Sequence, residues 1–197
     1  IFMQKPDVSG IFSTVFFFKY FKFATTPREN LTINLASEPA KLDPALNSSV
    51  DGACLVVNSF EGLYTYNDQG TLEPAFSDSY EVSEDGLTYT FTLKDGLKWS
   101  DGSDLTAADF EYSWKRAADP KTAADYAYLF DIVAKGEDGL VNATANEDGK
   151  TFTVVLNAPC AYFLDLCAFP AFYPVKQEVV EAAADWQTNP GAWCQEA

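Results

Sequence analysis

Asp101, Asp104, Asp109 and Glu111 lie close together in the sequence, and paired carboxylates at a fixed separation carry out glycoside hydrolysis. Their placement argues against that chemistry. Asp101 stands before Gly102 as half of a tight Asp-Gly turn, and Asp104 falls in the loop that follows. Asp109 and Glu111 are two residues apart and so point to different sides of a helix. Turn and cap roles account for all four. The chain has no histidine, which removes Ser-His and Cys-His nucleophile pairs and any His-ligated metal site. No glycine-rich phosphate loop is present, so neither an enzymatic activity nor a cofactor is expected. The four cysteines, Cys54, Cys160, Cys167 and Cys194, include no C-x-x-C pair, which argues against a zinc ribbon or a thioredoxin-like motif. On one helix Cys160 and Cys167 would sit about 10 Å apart along the axis, beyond disulfide reach. Buried free thiols are the expectation, and a bond from Cys194 to one of the others stays open in an oxidising compartment.

The elements around these residues are organised on the stretch from Tyr80 to Arg116. Tyr80 and Val82 precede the turn Ser83-Glu84-Asp85-Gly86, and Leu87, Tyr89, Phe91 and Leu93 follow it at every second position. That alternation sets one aromatic-aliphatic face on a core and Thr88, Thr90 and Thr92 on the other face. Asp95-Gly96 and Asp101-Gly102 make turns around Leu97-Lys98-Trp99. Thr106 is an N-cap with Asp109 three residues on, and Phe110, Trp114 and Ala117 continue the apolar stripe of a helix. On this periodicity Trp99, Trp114, Phe110, Tyr89 and Phe91 are core residues.

Upstream, LTINL over 31–35 alternates as a short strand, Asp51 to Asn58 reads as a helix, and Gly62 to Gly70 runs a strand into an Asn-Asp-Gln-Gly turn. Downstream, Asp119-Pro120-Lys121-Thr122 ends one helix and starts a second over Ala123 to Ile132, gathering Tyr126, Tyr128 and Phe130. Gly136 to Gly139 is a polar turn. Leu140 to Ala145 and Thr151 to Leu156 flank Asn146-Glu147-Asp148-Gly149 as a second hairpin. Pro159 opens an apolar helix from Cys160 to Cys167, and Lys176 to Ala184 forms a last helix.

Composition narrows the function classes. The 197 residues are 47% hydrophobic and 15% aromatic, too apolar for a disordered chain and long enough for a substantial core. Net charge is −16, and residues 1–30 hold four Lys/Arg against two Asp/Glu, leaving nine against 27 in the rest. Such a surface repels nucleic acid and anionic headgroups, so no nucleic-acid partner is expected. Within residues 1–30, IFSTVFFFKYFKF is interrupted by Lys19 and Lys22. It is too short and charged for a membrane span and lacks a signal-peptide cleavage pattern or a Leu-x-Gly-Cys lipobox. It is left as an unassigned leader or non-native segment.

Residues 87–114 carry a resemblance. LTYTFTL followed by LKDGLKWSDGSDLTAADFEYSW resembles the signature region of the family 5 extracellular solute-binding proteins, the oligopeptide and dipeptide receptors of ABC importers. Collinear motifs extend it: Leu42-Asp43-Pro44, Phe60-Glu61-Gly62-Leu63, Leu72-Glu73-Pro74-Ala75-Phe76, Asp119-Pro120-Lys121-Thr122, Lys150-Thr151-Phe152-Thr153-Val154 and Tyr162-Phe163. The resemblance implies a mixed α+β fold, periplasmic-binding-protein-like type II. Residues 31–65 would begin lobe I, 66–190 would form its inserted hairpin-rich subdomain, and 191–197 would start the return to lobe I. The family's full receptor is more than twice this length, so the chain is read as an N-terminal portion without the second lobe, with a shortened loop near Lys135.

The implied function is capture of an extended peptide between two lobes for delivery to ABC permease subunits. The implied location is the periplasmic or extracellular face of the membrane, by a monomer, with lipid anchoring as one form in the full-length protein. By alignment Ser48, Ser49 and Val50 occupy a ligand-facing loop and Tyr126 lines the pocket from the inserted subdomain. A carboxylate found at the Ser48 position in some relatives is absent. Competing readings are a receptor for a sugar, nickel or an opine, the lack of histidine weakening nickel, and a stand-alone interaction or adhesion module derived from the inserted subdomain.

Overall fold

The computed structural model describes residues 34–35, 37–183 and 185–194. The leader over 1–30 lies outside them, as does most of the strand expected over 31–35. The hairpin expected around Ser83–Gly86 is present. Strand β3 (Ser77–Val82) pairs antiparallel with β4 (Thr88–Leu93), and the Gly86 N–H closes the turn on the Ser83 carbonyl at 2.9 Å. The second hairpin joins β5 (Ala143–Ala145) to β6 (Thr151–Val155). The two hairpins meet through β4 and β6, giving a four-stranded antiparallel sheet of order β3-β4-β6-β5. Before it, β1 (Tyr64–Tyr66) and β2 (Leu72–Pro74) form a separate two-stranded ribbon. β2 was not anticipated, because three residues are too few for an alternation to register.

Register aligns the apolar face. Phe91 sits opposite Phe152 and Tyr89 opposite Val154, which places every second side chain of β4 and β6 on one side. Helix α2 (Ala107–Ala118) lies across that side. Phe110, Trp114 and Ala117 are buried at the expected four- and three-residue spacing. Trp114 is ringed edge-on by Phe130, Phe152 and Phe172, with centroids 5.9, 5.0 and 5.0 Å away. Its indole N–H donates to the Phe172 carbonyl at 2.9 Å. The helix starts where Asp109 folds back, its Oδ2 accepting from the Thr106 N–H at 2.8 Å, the arrangement expected of a capping box.

Several expectations need correction. Tyr80 and Val82 keep 41% and 42% of their surface exposed, because α2 packs over β5 and β6 and leaves the β3 edge uncovered. Tyr89, expected in the core, is only half-buried and stacks against Tyr80. No α-helix forms over Ala123 to Ile132. Ala123 adopts a left-handed conformation (φ 52°, ψ 39°) after the 3-10 turn Pro120–Thr122, and a 3-10 helix follows over Ala127–Ile132. Tyr126 and Tyr128 are 6.2 Å apart, but Phe130 turns inward onto Trp114. The helix expected from Cys160 shrinks to α3 (Phe163–Leu166), since the chain enters through a turn in which the Phe163 N–H reaches the Cys160 carbonyl at 3.4 Å. The strand expected from Leu140 contracts to β5, with a single bridge between Lys135 and Val141 before it. All four cysteines are free thiols and only Cys167 is fully buried, where burial pushes its pKa up. The last helix, α4, covers Gln177–Ala182.

Removing the Trp114 ring empties the centre of this packing. Trp114→Ala is expected to lower unfolding free energy by about 3–5 kcal/mol, read as a lower urea midpoint with the slope unchanged.

Candidate functional site

Leu42-Asp43-Pro44 sets the geometry of the loop that follows. Asp43 is fully buried, and its Oδ1 accepts from the Ala45 N–H at 2.9 Å while its carbonyl accepts from Leu46 and Asn47 at 3.0 and 2.9 Å. The turn delivers Asn47, whose Nδ2 donates to the Ser49 carbonyl at 3.1 Å. Ser49 then caps helix α1 (Val50–Ser59), its Oγ accepting from the Gly52 N–H at 3.2 Å. Position 52 admits only glycine, because a Cβ there would lie 2.7 Å from the Lys41 carbonyl and 2.0 Å from Asn47 Oδ1. Gly62 of the Phe60-Glu61-Gly62-Leu63 motif is constrained likewise, since its Cβ would come within 2.4 Å of the Cys167 carbonyl.

The loop meets a segment more than seventy residues away. The Ser48 hydroxyl donates to Asp125 Oδ2 at 2.6 Å, and the next residue, Tyr126, sets its ring perpendicular to Phe169 at 5.0 Å. Ser48 and the Tyr126 segment, separate in sequence, thus meet, and Val50, two residues along the loop from Ser48, is 86% exposed. Ser49 is on the same loop but its hydroxyl is committed to the helix cap and to Asn47. Asp125 was not anticipated. Its only sequence signal is adjacency to Tyr126. Ala123, the sole described non-glycine residue at positive φ, reverses the chain ahead of Asp125, a conformation that costs an L-residue about 1–2 kcal/mol.

The carboxylates that suggested catalysis all have structural partners. Asp101 accepts from the Ser103 N–H and hydroxyl at 2.9 and 2.6 Å and from Lys176 Nζ at 2.5 Å. These donors, Lys176 foremost, hold it well below the usual carboxylate range. Asp104 pairs with Lys98 at 2.5 Å. Glu111 takes Lys115 Nζ at 2.9 Å and the Ala145 N–H at 2.7 Å. Asp109 is spent on the helix start, and burial raises its pKa. The concavity beside them, about 260 Å³, is lined by Trp99, Thr106, Asp109, Tyr112 and Lys176. Among the described residues no cluster of acidic or cysteine side chains could hold a metal ion, and no helix is long and apolar enough to cross a membrane.

The sequence profile of the bacterial extracellular solute-binding proteins, family 5 Middle, matches residues 71–193. The Oligopeptide-binding protein OppA of Bacillus subtilis is 39% identical over 172 residues, covering 83% of this chain and 31% of that protein. The Dipeptide-binding protein of Lactococcus lactis is 39% identical over 165 residues, covering 80% and 30%. Among solved structures, Haemophilus influenzae OppA in complex with RPPGFSPFR superposes with a TM-score of 0.71 at 32% identity, covering 79% of this chain and 32% of that one. Listeria monocytogenes OppA bound to peptide gives 0.69 at 34% identity, covering 74% and 30%. The chain belongs to the family 5 bacterial extracellular solute-binding proteins. Its fold is the mixed α+β, type II periplasmic-binding-protein kind. It spans about a third of the length of the curated relatives it matches.

The Asp101 contacts give a pH test. A carboxyl whose folded pKa is depressed stabilises the fold above its unfolded value of about 4, and this is lost as pH falls toward the folded value. Lys176→Met is expected to raise the Asp101 titration midpoint toward the ordinary range, followed by carboxyl ¹³C shifts, while Ser103 keeps part of the depression.

Proposed function

We propose that this chain forms the first part of an ABC-importer receptor that captures extended oligopeptides or dipeptides between two lobes and hands them to membrane permease subunits. Residues 31–65 begin the first lobe, 66–190 make its inserted subdomain and 191–197 start the return. Ser48, Ser49, Val50 and Tyr126 face the ligand, Ser49 mainly by holding the loop through its cap. The observation that carries this reading is the collinear similarity of some four-fifths of the chain to proteins named for oligopeptide and dipeptide binding. The meeting of Ser48 with Asp125 adds to it, because it assembles a polar and aromatic wall from two parts of the chain.

Binding without catalysis is the better account of the acidic residues, since Asp101, Asp104, Asp109 and Glu111 are each committed to a turn, an ion pair or a cap. A peptide lying along such a wall bonds through its backbone and leaves its side chains in roomy, hydrated space. Several relatives carry periplasmic in their names, which favours a site of action outside the cytoplasm.

Di- to pentapeptides are expected to raise the melting temperature of the full-length product of this reading frame. A ligand at a hundred times its Kd stabilises by about 2.7 kcal/mol. A flat melting temperature across a mixed peptide library at millimolar concentration contradicts the assignment.

A further inference from the structure

Resting on the peptide-receptor reading, we propose that Asp125 is a subsite carboxylate that selects an organic cation of the bound peptide. Asp125 is exposed and has no Lys or Arg within ion-pair distance among the described residues, as is also true of Asp78 and Asp131. Ser48 engages Oδ2 from one side at 2.6 Å. A carboxylate offers about four acceptor positions, and among the described residues only the Ser48 hydroxyl is seen to donate to it.

The neighbours suit the same class of group. Tyr126 and Tyr128 hold their rings 6.2 Å apart, and Tyr128 is 61% exposed. An ammonium or guanidinium over a tyrosine face is attracted by the ring quadrupole. Val50, two residues after Ser48 and exposed, offers apolar surface for the methylene stem of a long cationic side chain. The hydroxyl of Ser48 fixes where the charge sits, and the left-handed turn at Ala123 brings the carboxylate round to it. Two parts of a peptide supply such a cation, a Lys or Arg side chain and the α-ammonium.

Titration calorimetry on the full-length protein tests this, using tri-alanine, its Lys and Glu replacements at each position, and N-acetylated tri-alanine. At one position Lys is expected to bind about tenfold tighter than Glu at low salt, and the ratio should shrink at about 0.5 M NaCl. Asp125→Asn should collapse the ratio to within about twofold, and Asp125→Glu should restore most of it. If Asp125→Asn instead abolishes only the penalty for N-acetylation, the cation is the α-ammonium and the subsite stands. A wild-type ratio near one at every position with no acetylation penalty, or an Asp125→Asn protein that keeps the wild-type pattern, overturns the proposal and leaves the receptor reading intact. Failure of the wild type to bind any of these peptides overturns both.

Discussion

A buried charge, Asp43, holds the two ends of the described chain to its middle. Its side chain has no exposed surface, and an unpaired carboxylate in that setting would be strongly unfavourable. Four donors prevent it. Arg116, near the end of α2, forks onto both carboxylate oxygens, with Nη1 at 3.2 Å from Oδ1 and Nη2 on Oδ2. The Trp193 indole N–H reaches Oδ2 at 2.7 Å, and the Ala45 N–H reaches Oδ1. Arg116 Nη2 also donates to the Pro190 carbonyl at 2.7 Å. One carboxylate therefore joins residues 43, 116 and 193, and the loop carrying Ser48 to Val50 departs from it directly.

The pairing explains how a small surface can be held in place by an irregular segment. Loops are normally the least constrained parts of a fold. Here Asp43 ties one end of the loop to α2, and Ser49 and Asn47 tie the other to α1. Helix α2 is fixed in turn, because Trp114 is clasped by Phe130, Phe152 and Phe172. The aromatic core thus fixes a helix, the helix fixes a buried arginine, and the arginine fixes the loop. A wall held this way would suit the proposed peptide receptor, since less ordering entropy is then lost on binding.

The sequence made the regular parts legible and hid the contacts between them. Alternation in 87–93, the Asp-Gly turns and the Thr106/Asp109 cap identified the hairpin and α2 because period-2 and capping signals are local. The Arg116–Asp43 pair spans 73 positions, and nothing in either neighbourhood marks them as partners, although Leu42-Asp43-Pro44 stood out as a motif. Asp125 was hidden for the same reason. The errors were local too. A run of ten residues with three aromatics reads as a helix until one alanine goes left-handed, and a strand edge reads as buried until the covering helix packs over the other strands instead. Tyr80 belongs to the second kind, on the correct face but at the uncovered end.

Amide hydrogen exchange on Asp43→Asn tests the central role of this carboxylate most directly. The loss of the ion pair leaves Arg116 buried without its counter-charge, so global stability should drop by about 3–5 kcal/mol. Protection should fall first in residues 43–60 and 185–194, while β4 and β6 stay the slowest to exchange. A variant as stable as the wild type to within about 0.5 kcal/mol, with unchanged protection around Ser48, would contradict the account.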